Sequence, residues 1–152
     1  MNKDAKFSIR KMEIDDLSEV VFLEQESIVA AWNKEQLQFE LLENPFALFK
    51  VAVAETGTII GFIIYWITFD SATIAQIVVK DEYRRQGIAT ALLKTMIQDC
   101  LDKHVRLITL EVRVSNEAAI KLYEENGFKK ERTKENYYPD GEDAFYMMRE
   151  VY

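Results

Sequence analysis

The run Gln76-Ile77-Val78-Val79-Lys80-Asp81-Glu82-Tyr83-Arg84-Arg85-Gln86-Gly87-Ile88-Ala89-Thr90 carries the clearest chemistry in the chain. An apolar strand passes through a basic turn bearing one glycine straight into an amphipathic helix. That order builds an anion site. Backbone N–H groups in the first turn of a helix lack an intrahelical partner and sit at the positive end of the helix dipole, so they can hold a pyrophosphate. Gly87 lets the backbone approach closely, and Arg84 and Arg85 add charge. A Walker loop ends in Gly-Lys-Ser/Thr and a dinucleotide fingerprint needs three glycines; neither is present. From residues alone the run also fits a plain strand-turn-helix corner with a helix-starting Gly and solvated arginines.

A second constellation lies downstream. The apolar strand Leu110-Glu111-Val112-Arg113 is followed by Asn116-x-x-Ala119-x-x-x-Tyr123-x-x-x-Gly127-Phe128. Asn116 falls at a helix start, and Tyr123 lies on the helix face shared with Ala119. As a bare pattern, Tyr123 reads sooner as a core aromatic on an amphipathic helix.

In this order the two constellations resemble the GNAT superfamily of N-acetyltransferases. Arg84-x-x-Gly87-x-Ala89 after a strand is similar to that family's acetyl-CoA pyrophosphate loop, Gln/Arg-x-x-Gly-x-Gly/Ala, and the Asn116 to Phe128 set is similar to its C-terminal motif. Together with Ser115-Asn116, Asn136-Tyr137-Tyr138-Pro139 and Gly141-Glu142-Asp143-Ala144, they resemble the RimI-type subfamily of ribosomal-protein-alanine and N-terminal acetyltransferases. The resemblance spans nearly the whole chain. It is most specific from Gln76 to Ala144 and weakest before Thr68, where only Trp32-Asn33 matches a Pro-Trp-Ser/Thr segment. The chain departs from the pattern at Ala31, where Pro is usual, and at Gln76, where Asn is common.

The resemblance implies acetyl-CoA as cosubstrate and direct transfer to an amine. The pyrophosphate would be held by the turn Arg84, Arg85, Gln86, Gly87, Ile88, Ala89 and Thr90. The backbone of Ile77, Val78 and Val79 would hold the pantetheine arm and polarise the thioester carbonyl, with Asn116 and Tyr123 also on the cofactor. Attack on a thioester needs a neutral amine, whereas an N-terminal ammonium is largely protonated near neutral pH, so a base is required. Glu111 lies in an apolar strand whose burial would raise its pKa toward a useful value, and the resemblance gives it the same role. Tyr123 can serve the departing thiolate as proton donor. Tyr137 and Tyr138, a turn-flanked aromatic pair between the last two strands, are expected to close over a peptide N-terminus, with Trp32 as the opposite wall; ordinary hairpin packing is the alternative for the pair. Cys100 and His104 stand one helical turn apart, a spacing better explained by helix packing and a terminal His than by catalysis.

Composition agrees. The chain has 152 residues, 49% hydrophobic and 30% charged, which predicts one compact domain over residues 1–152. A net charge of −7 argues against nucleic-acid binding through a basic face and sets off the basic residues Lys80, Arg84 and Arg85. No apolar signal region follows Met1, and the run Ile59 to Ile67 is too short to span a bilayer, so a cytoplasmic protein without membrane partners is expected. One Cys and one His supply neither a disulfide nor a structural zinc site; no metal is expected.

Periodicity supplies the elements that must position these residues. Phe7 and Ile9 read as a first strand, and Asp15 or Asp16 caps a helix carrying Leu17, Val20, Val21 and Ile28. Asn33 with Gln36 caps a second helix ending before Pro45. Phe49 to Ala54 and Ile59 to Thr68 form a hairpin, followed by a strand from Thr73 to Val79 and a helix from Gly87 to about Lys103. A strand from Arg106 to Arg113, a helix from Asn116 to Asn126 closed by Gly127, and strands near Phe128 to Glu135 and Ala144 to Val151 complete the chain. The expected fold is α/β, a GNAT-type mixed and mostly antiparallel sheet of about seven strands flanked by about four helices.

Three functions fit. The favoured one is acetylation of a protein's N-terminal α-amine, most plausibly a ribosomal protein with a small first residue. Acetylation of a small amine or internal lysine is the enzymatic alternative, and a CoA-binding partner module the non-enzymatic one. Retention of both Glu111 and Tyr123 argues against the last.

Overall fold

The computed structural model describes residues 6–27 and 32–151. Strand β1 (Phe7–Lys11) leads through a 3-10 turn (Ile14–Asp16) into α1 (Leu17–Ser27) and α2 (Lys34–Leu42). Then come β2 (Ala47–Ala54), β3 (Ile59–Thr68), β4 (Ser71–Val79), a second 3-10 turn (Asp81–Tyr83) and α3 (Ile88–Asp102). The chain closes with β5 (Leu107–Arg113), α4 (Glu117–Glu125), β6 (Lys129–Lys134) and β7 (Ala144–Glu150). The strands form one seven-stranded sheet in the order β1-β2-β3-β4-β5-β7-β6. β1 with β2, β2 with β3, β5 with β7 and β6 with β7 are antiparallel. A parallel step joins Ser71–Thr73 of β4 to Leu107–Thr109 of β5, and α3 is the crossover that such a pairing requires. The mixed, mostly antiparallel sheet with four helices is as the sequence predicts.

The chain divides into two compact units, residues 1–66 with 75–96, and residues 67–74 with 97–152. In the first, Val20 and Leu23 of α1 and Leu37 of α2 pack with Phe49, Val51, Phe62, Ile64 and Val78 of the sheet. β3 is buried from Ile59 to Tyr65, which its unbroken apolar run dictates. Gly61 is required there: a Cβ on it would lie 2.9 Å from the Val78 carbonyl oxygen and 3.3 Å from Ile88, so its absence lets α3 settle on the strand. In the second unit β5 alternates strictly. Ile108, Leu110 and Val112 are buried, while Thr109, Glu111 and Arg113 face the half-exposed side.

Local differences from the sequence reading have local causes. Asp16 does not cap α1; it accepts the Glu13 N–H at 2.8 Å and both Arg10 guanidinium nitrogens at 2.7 and 2.9 Å, which tightens the preceding chain into the 3-10 turn. Asn33 does cap α2 as expected, with reciprocal bonds to Gln36. β2 and β4 each begin two residues earlier than predicted, at Ala47 and Ser71. Neighbouring strands extend them by pairing, through Ala47 with Trp66 and Ser71 with Leu107. Ile28 and Ala31 lie outside the described residues.

Candidate active site

In the first unit, β4 delivers its backbone into the basic turn. Lys80 N–H donates to the Ile60 carbonyl at 2.8 Å, and the 3-10 turn follows at once. Arg85 (φ +62°) and Gly87 (φ +80°) both adopt the left-handed conformation, one on each side of Gln86. A glycine takes that geometry freely, whereas Arg85 holds it against a steric penalty. The first backbone bond of α3 runs from Ala91 N–H to the Gly87 carbonyl at 2.9 Å. The amides of Ile88, Ala89 and Thr90 stand before it, at the positions whose donors a helix leaves unused. A Cβ built on Gly87 meets no atom within 4 Å, so the space beside Gly87, at the entry to the helix, is open.

The basic cluster is less uniform than its sequence. Arg84 pairs with Asp81 at 3.0 Å and donates through Nε to the Val79 carbonyl at 3.4 Å, so it braces the turn; Lys80 lies 3.9 Å from Glu82. Gln86 likewise donates to the Glu82 carbonyl at 3.4 Å. Among the described residues Arg85 has no ion pair, and it is exposed.

Also in this unit, Trp32 stacks on Trp66 with ring centroids 6.5 Å apart, in a groove of about 460 Å³ lined also by Gln36, Phe39 and Glu40. The Trp66 indole N–H is fixed by Glu40 at 2.6 Å. Behind Trp32 lies a feature the sequence reading missed: the fully buried Glu24 of α1 accepts the Trp32 backbone N–H at 2.8 Å and the Gln76 amide at 2.9 Å.

The second unit gathers Glu111, Tyr137 and Tyr138. The Glu111 carboxylate accepts a hydrogen bond from the Tyr137 hydroxyl at 3.1 Å and from the Lys134 ammonium at 3.4 Å. The strand that looked uniformly apolar therefore buries Leu110 and Val112 but turns Glu111 to its partly open face, with its side chain 19% exposed. Tyr137 and Tyr138 meet edge to face, with centroids 5.0 Å apart. They ride on a turn closed by Gly141 N–H to the Tyr138 carbonyl (2.8 Å) and Tyr138 N–H to the Glu142 carbonyl (3.1 Å). Arg113 holds that turn: its guanidinium lies 4.1 Å over the Tyr138 ring and bonds Asp140 at 2.8 Å and Glu142 at 2.9 Å. Lys134, and the hold of Arg113 on this turn, escaped the sequence reading because only the register of β5, β6 and β7 brings them here.

Tyr123 is buried on α4, edge-on to Phe128 at 5.6 Å. Burial, and secondarily the nearby Tyr138, pushes its phenol above the ordinary range. Burial also pushes Tyr138 up to about 12, against the opposing pull of Arg113, and raises Tyr137 with help from Glu111. All three hydroxyls therefore remain protonated donors near neutral pH. Asn116 caps α4, its Oδ1 accepting the Ala119 N–H at 3.2 Å, which leaves the other end of its amide as a donor. Burial raises the Cys100 thiol to about 12, so it offers no thiolate at neutral pH.

Among the described residues no cluster of three or more His, Cys, Asp or Glu side chains could hold a metal, and no helix is long and apolar enough to cross a membrane.

Several known proteins are similar to this chain. Residues 10–128 match the model of the acetyltransferase (GNAT) family. A Bacillus subtilis protein is 38% identical over 93% of this chain and 94% of its own length. The ribosomal protein bS18-alanine N-acetyltransferase of Escherichia coli is 34% identical, over 92% of this chain and 95% of its own. The crystal structure of the Escherichia coli ribosomal-protein-S18-alanine N-acetyltransferase superposes with a TM-score of 0.88, covering 96% of this chain and 94% of that one at 33% identity. That of the PaiA N-acetyltransferase of Thermoplasma acidophilum, which contains coenzyme A, reaches 0.80 at 25% identity, over 95% of this chain and 99% of that one.

Proposed function

This chain belongs to the GNAT family of acetyltransferases, and on that premise we propose that it moves acetyl from acetyl-CoA to the N-terminal α-amine of a protein. A ribosomal protein with a small first residue is the substrate class, in keeping with the name of its Escherichia coli relative. The coenzyme A in the PaiA relative supports acetyl-CoA as the cosubstrate.

The observation that carries the reading is the cluster of Glu111, Tyr137 and Tyr138, a proton acceptor bonded to the exposed member of an aromatic pair whose other ring is half-buried. An N-terminal amine is attached directly to its own peptide backbone, so flat rings beside the base can bracket the first peptide bond. A lysine approached from mid-chain would need a narrow tunnel for its stem.

The pyrophosphate is assigned to the amides of Ile88, Ala89 and Thr90 beside the open space at Gly87, with Arg85 as the exposed charge and with Arg84, Gln86 and Gly87 shaping the turn. The backbone of Ile77, Val78 and Val79 takes the pantetheine arm and thioester carbonyl, and the Asn116 amide adds a donor. The amine nitrogen attacks the thioester carbon, the C–N bond forms, and the surplus amine proton passes to Glu111 directly or through water. Collapse of the tetrahedral intermediate breaks the C–S bond. Tyr123 donates a hydrogen bond to the sulfur as charge builds there. Full proton transfer from a raised phenol to a thiolate of ordinary pKa, about 8.5, runs uphill, so stabilising the thiolate is its larger service and solvent completes the protonation. Trp32 lines the groove assigned to the rest of the substrate.

Mass spectrometry of ribosomal-protein N-termini from cells lacking this gene tests the reading. One N-terminus should lose its acetyl group; an unchanged set would count against it.

A further inference from the structure

We propose that Glu24 and Gln76 form an acceptor subsite for the substrate's amine: Oε1 of Glu24 and Oε1 of Gln76 receive N–H groups at the head of the polypeptide being acetylated. The inference rests on the reading of this chain as an acetyltransferase for protein α-amines and names where that amine docks.

Glu24 is fully buried, and both hydrogen bonds it accepts converge on one oxygen. Its second oxygen, and the side-chain oxygen of Gln76, are buried without a donor among the described residues. A buried acceptor with no donor is unfavourable, and native structures keep few of them. Two on adjoining side chains mark a place that an incoming donor would complete. Were Glu24 simply a strut between α1, the start of α2 and β4, its Oε2 would suffice. Nothing in that role leaves the Gln76 oxygen facing no donor as well.

The chemistry of the missing partner follows from what is present. The vacant positions are both oxygens, one of them on a carboxyl, so the partner is rich in N–H and is favoured if cationic. Burial holds the Glu24 carboxyl above the ordinary carboxylate range, with the Trp32 and Gln76 donors only partly opposing. A cation beside it would offset the unfavourable burial of its charge. An α-amine meets both requirements, and it is the group this enzyme must accept. Chain continuity places the subsite suitably. Gln76 immediately precedes Ile77 on β4, so its backbone stands one residue, about 3.3 Å of strand, from the backbone assigned to the thioester. The Trp32 N–H ties the same carboxyl to the wall of the groove. The longer side chain at this position, where the family pattern has Asn, reaches Glu24 at 2.9 Å.

The test compares two probes on the CoA-loaded protein by calorimetry: a short peptide beginning with Ala, and the same peptide lacking only its α-amino group. Glu24→Gln keeps an oxygen for the Trp32 and Gln76 donors but turns an NH2 toward the subsite. The wild type should prefer the amine peptide by roughly tenfold or more, the range for a charge-assisted hydrogen bond. In Glu24→Gln the preference should fall to about one, with the affinity of the desamino peptide and of acetyl-CoA unchanged. A merely structural role would shift both peptides alike. If Glu24→Gln does not fold, Gln76→Met removes the second oxygen at similar size and should reduce the same ratio. An undiminished ratio in either folded variant overturns the subsite. A protein that prefers the amine peptide yet acetylates only lysines would instead overturn the functional reading and leave the subsite in place.

Discussion

Replacing Gly87 separates the strain of the turn from its service to a ligand. Gly87 has φ +80°, and a Cβ there meets nothing within 4 Å, so the protein itself does not crowd a side chain at this position. A larger side chain would be crowded only by an occupant of that open space. Gly87→Ala pays the left-handed backbone penalty, about 1–2 kcal/mol, which for a chain of this size lowers Tm by roughly 2–8 °C. Gly87→Glu pays the same penalty and adds a carboxylate in front of the first-turn amides. For a carboxylate about 6 Å from a pyrophosphate of charge near −2, the repulsion is about 1.4 kcal/mol at the dielectric of water and about 5.5 at an effective dielectric of 20. Affinity for acetyl-CoA should therefore fall at least about tenfold and, with the bulk of the side chain added, beyond detection. Calorimetry on both variants, with thermal melts to establish folding, reads this directly. A folded Gly87→Glu protein that binds acetyl-CoA as the wild type does would refute the anion site at this turn.

Three further outcomes follow from the site. Glu111→Gln retains an oxygen for Tyr137 or Lys134 but cannot take the proton, so kcat should drop by roughly 10²-fold or more with acetyl-CoA affinity unchanged; a pH-rate profile that keeps its acidic limb in this variant would place the base elsewhere. Replacing Tyr137 and Tyr138 together by Ala should raise the peptide KM far more than the acetyl-CoA Kd, and equal effects on both would remove the pair from substrate binding. Cys100→Ala should leave turnover intact, because the buried thiol is held near 12; loss of activity in a folded variant would reopen a covalent route.

The helix-and-strand order was legible because each element carries its own local signal, such as the Asn33–Gln36 capping pair, the glycine that ends α4 and the apolar run of β3. The pyrophosphate turn was legible for the same reason, since strand, glycine and helix are contiguous. What escaped depends on how a turn folds locally or on contacts between distant segments. Asp81 and Glu82 temper the basic cluster through turn geometry rather than composition. Glu111 looked buried because its strand is apolar, but the face it takes is set by alternation with Leu110 and Val112, and its partner Lys134 is brought in by the register of β6. Glu24 sits among ordinary helix residues, and nothing in its neighbourhood signals a bond to Gln76, 52 positions away.

The central claim is that acetyl goes to a protein's α-amine. Its most direct test is mass mapping of the product made from acetyl-CoA and a peptide that begins with Ala and carries an internal lysine, beside the same peptide with a blocked N-terminus. The account predicts one acetyl group on the free N-terminus and none on the blocked peptide. Acetyl groups on the lysine side chain, with free N-termini left untouched, would contradict it.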